Sequence, residues 1–205
     1  MKRIDFIASL LQGYEVAMDI GSDHGLVLKE ALEQGYIKRG IATDNKVGPL
    51  NASQETLKNY DVKFYLSDGF KSVLDHADVA VITGMGAHLI ASILDHAPKN
   101  MDFILGPNDR LEVLREYLAS HGFMIVDEYV VKDGFYYVFL KVKYGKMSLT
   151  EQELYGGIYL KDKEEGRAYL MHQLTYYRGL VTKADEVKKL KLIKIIGYLE
   201  NTLNL

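Results

Sequence analysis

The sequence of 205 residues contains no cysteine. This absence excludes disulfide bonds, cysteine nucleophiles and metal sites built on thiolates, and it predicts a reducing compartment, the cytoplasm. Long apolar runs are missing as well: no segment approaches the ~20 apolar residues that cross a bilayer, so we expect no membrane partner. A short apolar stretch follows Arg3, but Asp5 interrupts it, and it does not match a signal peptide.

Positive charge is scarce over the whole chain. The 25 Lys and Arg residues are outnumbered by 28 Asp and Glu residues, and the net charge of −3 argues against broad nucleic-acid affinity. The balance is uneven, because residues 146–205 carry ten basic against eight acidic side chains, a net of +2 that leaves −5 for the rest. Any affinity for nucleic acid is therefore expected to come from the C-terminal part of the chain.

Several common motifs are absent too. The sequence has neither the Gly-x-Ser-x-Gly turn of serine hydrolases nor a P-loop. A glycine turn does follow the apolar run that ends at Ile20, but its Gly21-x-x-x-Gly25 spacing lacks the middle glycine that lets a pyrophosphate approach a helix N-terminus. The ligand of this turn is therefore predicted to lack a diphosphate.

An acidic residue, Asp19, stands just before this glycine turn. A carboxylate in that place is typical of loops that bind S-adenosylmethionine (SAM). Gly21 and Gly25 have no Cβ atom, so they can take positive φ angles and leave room for a sugar or a sulfonium group. A purely structural strand-to-helix turn would use the same glycines, and both interpretations stay open at this point.

Short apolar, β-branched runs alternate with amphipathic segments in the first two thirds of the chain. Strands are predicted at residues 15–20, 40–43, 63–66, 79–83 and 103–106. Helices are predicted at residues 26–34, 49–59, 88–97 and 111–121. The alternation is typical of βαβ units and a mainly parallel sheet. Two more strands, residues 123–131 and 135–144, flank the hairpin signal Asp133-Gly134, so the sheet is expected to end antiparallel.

The strand pattern stops near residues 145–148. Thr150 and Glu153 have the capping-box spacing that begins a helix. Two longer amphipathic helices follow at residues 163–180 and 184–203, and the short turn between them predicts an antiparallel helical hairpin. The apolar face of the last helix is predicted to consist of Val187, Leu190, Ile193, Ile196, Leu199 and Leu203. The chain is thus divided into an α/β domain, residues 1–146, and a helical unit, residues 147–205.

Polar residues follow the second and third predicted strands. In open α/β sheets the ligand lies at the carboxyl ends of the parallel strands. Asp44 and Asn45 follow the second strand, and Asp44 has the spacing of a carboxylate that binds ribose hydroxyls. Asp68 and Gly69 follow the third, where a carboxylate can accept a hydrogen bond from the exocyclic amine of an adenine. A helix cap at Asp44 and a plain turn at Asp68 are the alternatives.

The fourth and fifth predicted strands end where a methyl acceptor would meet a methyl donor. Gly84-Met85-Gly86 places two glycines around a thioether, which indicates close approach by a ligand or a tight turn. Pro107 stiffens the next loop, and Asn108 can both donate to and accept from the edge of a base. The six histidines are scattered along the chain, so no metal site is predicted.

Together these motifs resemble the bacterial tRNA (adenine-22-N1)-methyltransferases. The resemblance rests on residues 19–24 (DIGSDH), on Gly84-Met85-Gly86 and on Pro107-Asn108, followed by a β-hairpin and a helical hairpin. It covers nearly the whole chain. It implies a Rossmann-like class I methyltransferase fold, SAM as the cofactor, and an adenine of tRNA as the target. It also implies that the C-terminal hairpin is a coiled coil that helps to hold tRNA.

The motifs and the resemblance together predict the site residues. The expected catalytic residues are Asp23, His24 and Asn108, with Asp23 and Asn108 on the Watson–Crick edge of the adenine. The residues expected to bind SAM are Asp19, Gly21, Ser22, Gly25, Asp44, Asn45, Asp68, Gly69, Gly84, Met85 and Gly86. The residues expected to contact tRNA are Pro107, Lys188, Lys189 and Lys191. We expect a monomer.

Two other functions remain open on the residues alone. A SAM-dependent methyltransferase that acts on a small molecule or a protein would fit the low basicity of the chain. A non-enzymatic nucleotide-binding scaffold would instead use the helical hairpin to bind another protein. The lysine-bearing last helix does not decide between them, because such a helix is often only a solvated face.

Overall fold

The computed structural model describes residues 2–205 and is built around one seven-stranded sheet. Its strands are β1 (Val16–Ile20), β2 (Arg39–Asp44), β3 (Val62–Leu66), β4 (Val79–Met85), β5 (Asp102–Pro107), β6 (Phe123–Asp133) and β7 (Phe135–Tyr144). Their order across the sheet is β3-β2-β1-β4-β5-β7-β6, with β1 to β5 parallel and β7 antiparallel to both of its neighbours. The predicted fold class and the antiparallel end of the sheet are confirmed.

Eight α-helices lie within residues 2–205. They are α1 (Arg3–Ser9), α2 (Leu26–Glu33), α3 (Val47–Leu57), α4 (Ala87–Leu94), α5 (Leu111–Ser120), α6 (Glu151–Gly156), α7 (Glu164–Val181) and α8 (Glu186–Leu203). Helix α1 was not predicted, because it has only seven residues and its buried positions, Ile7 and Ala8, show no helical period. Among the described residues, no helix is both long and apolar enough to cross a membrane.

The central strands are buried on both faces, as a parallel sheet flanked by helices requires. Every residue of β1 and the first four residues of β4 are buried. One face packs against α4 and α5 through residues such as Ile90 and Leu114, and the other packs against α1 and α2 through Ile7 and Leu28. Each fully buried aliphatic side chain contributes about 1.5–3 kcal/mol, so the sheet is a rigid support for the loops at its edge.

The register of the parallel strands brings their carboxyl ends to one edge. Ile20 of β1 lies beside Thr43 of β2 and Ile82 of β4. The pairing of β4 with β5 is irregular at Gly84, which has a φ of +77°. Only glycine takes this conformation without strain, so the irregularity requires the first glycine of the Gly-Met-Gly motif. It lies at the edge of the sheet where the ligand site is predicted.

The helical unit begins at a capping box, as predicted. The Thr150 side chain accepts a hydrogen bond from the N–H of Glu153, and the Glu153 carboxylate accepts one from the N–H of Thr150. Helices α7 and α8 then pack together through buried residues that include Leu170, Leu174 and Leu199. The predicted pair of C-terminal helices is therefore present.

The predicted apolar face of α8 is buried in the second half of the helix, at Leu199 and Leu203, but not in the first half. Val187, Leu190 and Ile193 are 82%, 71% and 51% exposed. The buried residues come from the second half of the helix, where Thr202 packs against Gly156 of α6. The helical period identifies an apolar stripe, but it does not indicate which part of the helix has another element to cover. The first half of α8 extends beyond the packed core.

A buried ion pair joins the sheet to the helical unit. Arg115 of α5 and Glu128 of β6 are almost fully buried, with Nη2 of the arginine 2.7 Å from Oε1 of the glutamate. Nη1 of Arg115 donates to the carbonyl of Leu154, and Oε2 of Glu128 accepts from the N–H groups of Ile158 and Tyr159, at 2.7, 2.6 and 2.9 Å. The Arg115–Glu128 pair therefore determines how the segment around α6 docks against the sheet.

Candidate active site

A cavity of about 640 Å³ lies at the carboxyl edge of the parallel strands, and we call it the strand-end cavity. Its size is typical of a small-molecule site. The predicted site residues that line it are Asp19, Gly21, Ser22, Asp23, His24, Asp44, Asn45, Asp68, Gly69, Gly84, Met85 and Asn108. They come from the ends of all five parallel strands. The structure thus brings most of the predicted site together.

Three predicted residues near the strand ends lie elsewhere. Gly25 is the N-cap of α2, where a Cβ atom would come within 2.6 Å of Leu57. Gly86 is the N-cap of α4 and faces the carboxylate of Asp109. Pro107 lines a neighbouring cleft. Gly25 and Gly86 therefore shape the starts of α2 and α4, and their contact with the cofactor stays a prediction.

The loop after β1 is held against the end of β2. The N–H groups of Gly21 and Ser22 both donate to the carbonyl of Thr43 at 2.9 Å. Gly21 has a φ of +74°, and a Cβ atom on it would lie 2.3 Å from Cε of Met85. The missing side chain therefore leaves space that Met85 occupies. The glycine turn and the end of β4 therefore form one continuous surface at the floor of the strand-end cavity.

Asp19 is the most buried carboxylate of the strand-end cavity, with 5% of the residue exposed. Burial raises the pKa of Asp19 to about 7, and the negative charge of Asp44 adds to the shift. The nearby Ser22 side chain opposes the shift, although within residues 2–205 its buried hydroxyl makes no hydrogen bond of good geometry. A positively charged ligand would relieve this electrostatic cost, so the cavity favours a cation.

The other two predicted cofactor carboxylates differ from each other. Asp44 is buried, and its Oδ1 accepts a hydrogen bond from the N–H of Lys46 at 2.9 Å. Asp68 is exposed at the rim, and its Oδ2 lies 2.6 Å from Nζ of Lys71. A hydrogen bond made by a buried carboxylate is screened less by water than one made at the surface. Asp44 is therefore the stronger of the two anchors for a ligand.

Asp23 and His24 stand at the mouth of the strand-end cavity. Their side chains are 66% and 65% exposed, and Nε2 of His24 lies 3.8 Å from Oδ1 of Asp23. Asp23 has a φ of +49°, a left-handed conformation that is uncommon outside glycine. Both residues are accessible to a large substrate that approaches from solvent.

The loops after β4 and β5 are tied together. The N–H of Asn108 donates to the carbonyl of Met85 at 2.8 Å. Oδ1 of Asp109 accepts from the N–H of Ala87, the first residue of α4, at 3.0 Å. Asp109 was not predicted, although a carboxylate at a helix N-terminus is favourable because it compensates the helix dipole. These contacts hold Asn108 beside the Gly-Met-Gly turn.

Two basic residues that no motif singled out also line the strand-end cavity, Arg3 and Lys46. The N–H of Arg3 donates to Oδ2 of Asp133 in the β6–β7 turn at 2.9 Å, which fixes the start of α1 at the cavity. Both side chains offer hydrogen-bond donors that suit an anionic group. No spacing in the sequence marks them, so only the fold reveals their place.

A second cavity of about 390 Å³ lies between the sheet and the helical unit. The tyrosines that line it are Tyr136, Tyr155, Tyr169, Tyr176 and Tyr177. We call it the tyrosine cleft. Asn108 lines both the tyrosine cleft and the strand-end cavity. The two cavities therefore meet at a residue that is a predicted catalytic group.

Comparison with known proteins assigns the family. A family model described as a methyltransferase domain matches residues 1–140. The tRNA (adenine(22)-N(1))-methyltransferase of Bacillus subtilis is 27% identical, over 97% of this chain and 93% of its own. A provisionally named tRNA methyltransferase of Mycoplasma pneumoniae is 32% identical over 192 residues, 88% of each chain. The chain belongs to the bacterial tRNA (adenine-22-N1)-methyltransferase family.

A solved structure extends the likeness to the whole fold of this family. A provisionally named tRNA (m1A22) methyltransferase of Streptococcus pneumoniae is similar with a TM-score of 0.90 and 26% identity, over 99% of both chains. The same protein in complex with S-adenosyl-L-methionine matches with a TM-score of 0.86, over 99% of this chain and 100% of that one. The resemblance predicted from the motifs is confirmed.

The lysines predicted to contact tRNA line neither the strand-end cavity nor the tyrosine cleft. Nζ of Lys188 is 3.3 Å from Asp185, and Nζ of Lys189 is 3.7 Å from Glu186. Lys191 is exposed. Nearby carboxylates thus offset part of the positive charge on two of the three side chains.

Proposed function

We propose that the protein transfers the methyl group of SAM to N1 of an adenine in tRNA, at position 22 as the name of the Bacillus subtilis relative states. The observation that carries the proposal is the meeting of two cavities at Asn108, one suited to SAM and one open toward the helical unit. Family membership supports the same reaction. The protein would act on tRNA in the cytoplasm.

The residues of the strand-end cavity fit SAM. Burial raises the pKa of Asp19, so a nearby cation stabilises its ionised form, and Asp19 would bind the positively charged methionine part of SAM. Arg3 and Lys46 would bind the carboxylate of that methionine part. Asp44 would accept hydrogen bonds from the ribose hydroxyls, and Asp68 one from the adenine amine. When bound, SAM supplies an electrophilic methyl group on a sulfonium centre.

The acceptor needs alignment more than it needs a strong base. Ring N1 of adenine has an in-plane lone pair and no proton, so holding it in line with the donor is the main catalytic task. We assign the Watson–Crick edge of the base to Asn108 and Asp23. The Asp23 carboxylate would also stabilise the positive charge that develops on the methylated ring, and His24 would shape the pocket beside it.

The target base has to leave its stack before it reacts. N1 of adenine is hidden in paired or stacked RNA, so extrusion precedes methylation. We assign the cofactor to the α/β domain, residues 1–146, and the grip on tRNA to the helical unit, residues 147–205. In this assignment α7 and α8 form an antiparallel coiled coil, and Lys188, Lys189 and Lys191 lie near phosphates.

The test is transfer of labelled methyl from SAM to total tRNA from a strain that lacks the modification. We expect incorporation, and we expect its loss when the target adenine of a single transcript is replaced by guanine, whose N1 carries a proton. SAM binding by calorimetry without transfer to any tRNA would point to a small-molecule or protein acceptor. Absence of both binding and transfer would support a non-enzymatic scaffold.

A further inference from the structure

The tyrosine cleft has aromatic walls on both sides. Tyr136 of β7 forms part of the wall on the sheet, and Tyr155 of α6 and Tyr169 of α7 belong to the helical unit. The rings of Tyr136 and Tyr169 meet edge to face, with centroids 5.9 Å apart. Nucleobases extruded from RNA are commonly held on aromatic side chains. The lining is therefore suited to a flat, aromatic ligand.

One face of α7 supplies three of the five tyrosines of this lining. Its contributions are Tyr169, Gln173, Tyr176 and Tyr177. Residues three or four positions apart lie on the same side of a helix, so these four side chains form a single surface. The docking of α7 therefore places three tyrosines and one amide together in the cleft.

Polar groups also line the cleft. Burial raises the pKa of the Tyr169 phenol, whose ring lines the cleft. Gln173 is half-buried, lines the cleft and takes part in no side-chain hydrogen bond within residues 2–205. An extruded base could therefore form hydrogen bonds with these two groups as well as stack on the rings.

We propose that the tyrosine cleft holds the adenine that is methylated, with the base stacked against the tyrosine rings and the Gln173 amide bonded to its N6 and N7. This inference rests on the proposed function. It gives the helical unit a second task, because that unit then supplies the pocket for the base as well as contacts to the tRNA backbone.

The chemistry of adenine favours this arrangement. A glutamine amide pairs with N6 and N7 of adenine through one donor and one acceptor. These atoms lie on the Hoogsteen edge, so binding there leaves N1 free on the Watson–Crick edge. Asn108 lines both cavities, which puts the free edge of the base on the side of the methyl donor. Guanine presents two acceptors, O6 and N7, and would leave the Gln173 carbonyl oxygen without a donor.

The first test is kinetic and compares Tyr169→Leu with Tyr169→Phe. We expect Tyr169→Leu to lower kcat/KM for tRNA by about 10- to 100-fold, the range measured for loss of one base–aromatic stack. Tyr169→Phe keeps the ring and is expected to lose less than about fivefold. The affinity for SAM, measured by calorimetry, is expected to stay unchanged in both. A merely structural role of Tyr169 would lower SAM binding together with turnover.

Two further variants and a control keep the test independent of folding. Tyr176 is 55% exposed, so Tyr176→Leu removes a ring of the same wall with little risk to stability. Gln173→Leu is expected to lower kcat/KM by about tenfold, the value of a good base-edge contact. Tyr60→Leu is the matched control, because Tyr60 bonds to Glu33 and lines neither cavity. It is expected to behave as the wild type.

The second test locates the base directly. A tRNA with 8-azidoadenine at the target position is irradiated on the wild-type protein, and the cross-linked peptide is identified by mass spectrometry. Attachment to Tyr136, Tyr169 or Tyr176 supports the proposal, and attachment only outside the cleft overturns it. Full kcat/KM in Tyr169→Leu and Gln173→Leu overturns it as well. A wild-type protein that methylates no tRNA defeats the proposed function instead.

Discussion

The strand-end cavity and the tyrosine cleft share Asn108 but are built in different ways. Consecutive loops at one edge of a single sheet form the strand-end cavity, so short local motifs determine its composition. The tyrosine cleft exists only where the helical unit docks against α5 and β7. The residues of the cofactor site thus come from short local motifs. The proposed substrate site instead depends on packing between segments that are distant in the sequence.

Removal of the Glu128 carboxylate should have the largest effect, and it should affect the tyrosine cleft much more than the strand-end cavity. Glu128→Ala leaves Arg115 buried without its counterion, and loss of one partner of a buried pair costs about 3–5 kcal/mol. We expect the free energy of unfolding in urea to fall by that amount. Methylation of tRNA should fall as well, because the segment around α6 that lines the tyrosine cleft is no longer held in place. SAM affinity of the folded protein should change little.

An exposed ion pair provides the control for this variant. Glu55 lies 2.5 Å from Lys58 on the surface, and Glu55→Ala should leave both the free energy of unfolding and methylation nearly unchanged. If Glu128→Ala abolished SAM binding in protein that remains folded, the two regions would not be separable and the comparison would fail.

Substitution of Asp19 tests whether a buried charge in the strand-end cavity contributes to SAM binding. Asp19→Asn keeps the shape of the side chain but removes its charge, and hydrogen bonds to charged groups are worth about 1.5–3 kcal/mol. We expect SAM affinity at pH 8 to fall by about 10- to 100-fold in calorimetry. Asp68→Asn, at an exposed carboxylate already paired with Lys71, should have a much smaller effect. Equal losses in both variants would contradict the role of burial at Asp19.

The raised pKa of Asp19 also predicts opposite pH trends for binding and for stability. A bound cation favours the carboxylate, so SAM affinity should rise as the pH passes through about 7. The folded protein holds this proton more tightly than the unfolded chain, whose pKa is near 3.8. The stability that Asp19 contributes is therefore complete below about pH 4 and is lost as the pH rises to about 7. Asp19→Asn should flatten both trends, and a wild-type SAM affinity that does not change with pH would argue against them.

A methyl group on Gly21 tests the floor of the strand-end cavity. Gly21→Ala and Gly35→Ala both force alanine into a left-handed conformation, at a cost of about 1–2 kcal/mol in the free energy of unfolding. Only at Gly21 does the new Cβ meet another atom, Cε of Met85, whereas nothing lies within 4 Å at Gly35. Calorimetry should show weaker SAM binding for Gly21→Ala alone. The same SAM affinity in both variants would remove Met85 and Gly21 from the floor.

The smallest expected effect concerns the lysines of α8. The double variant Lys188→Glu and Lys191→Glu should weaken tRNA binding and reduce the slope of log affinity against log salt by roughly 1 to 2, because each phosphate contact contributes about 0.7–0.9 to that slope. The matched control reverses the charge of two exposed lysines of the α/β domain, with Lys38→Glu and Lys58→Glu. An unchanged salt slope in the α8 variant would leave the tyrosine cleft as the main contact to tRNA.

The strand-end cavity was predictable from sequence because of how parallel sheets are built. The carboxyl ends of parallel strands meet at one edge whatever the strand order, so Asp19, Asp44 and Asp68 had to lie together once the βαβ pattern was recognised. Gly25 and Gly86 were predicted to contact the cofactor, and in the structure each is a helix N-cap outside the lining of this cavity. A glycine motif shows that a turn is tight, but not whether a ligand or a helix occupies the space.

The tyrosine cleft was not predictable in the same way. The spacing of Tyr169, Gln173 and Tyr176 marks one face of a helix, yet nothing in that spacing shows what the face lies against. That depends on the buried Arg115–Glu128 pair, whose hydrogen bonds reach residues about 30 to 40 positions away. The same limit explains α8, where the exposed Val187 follows the predicted apolar period but has no element to cover.

The claim that cofactor and base meet at Asn108 has one direct test. Asn108→Ala is compared with the wild type in single-turnover methyl transfer to tRNA at saturating SAM. We expect the rate of transfer to fall by about 100-fold, the cost typical of losing one preorganised hydrogen-bonding group at a reacting centre, with SAM affinity unchanged. A variant that transfers methyl at the wild-type rate would contradict the account.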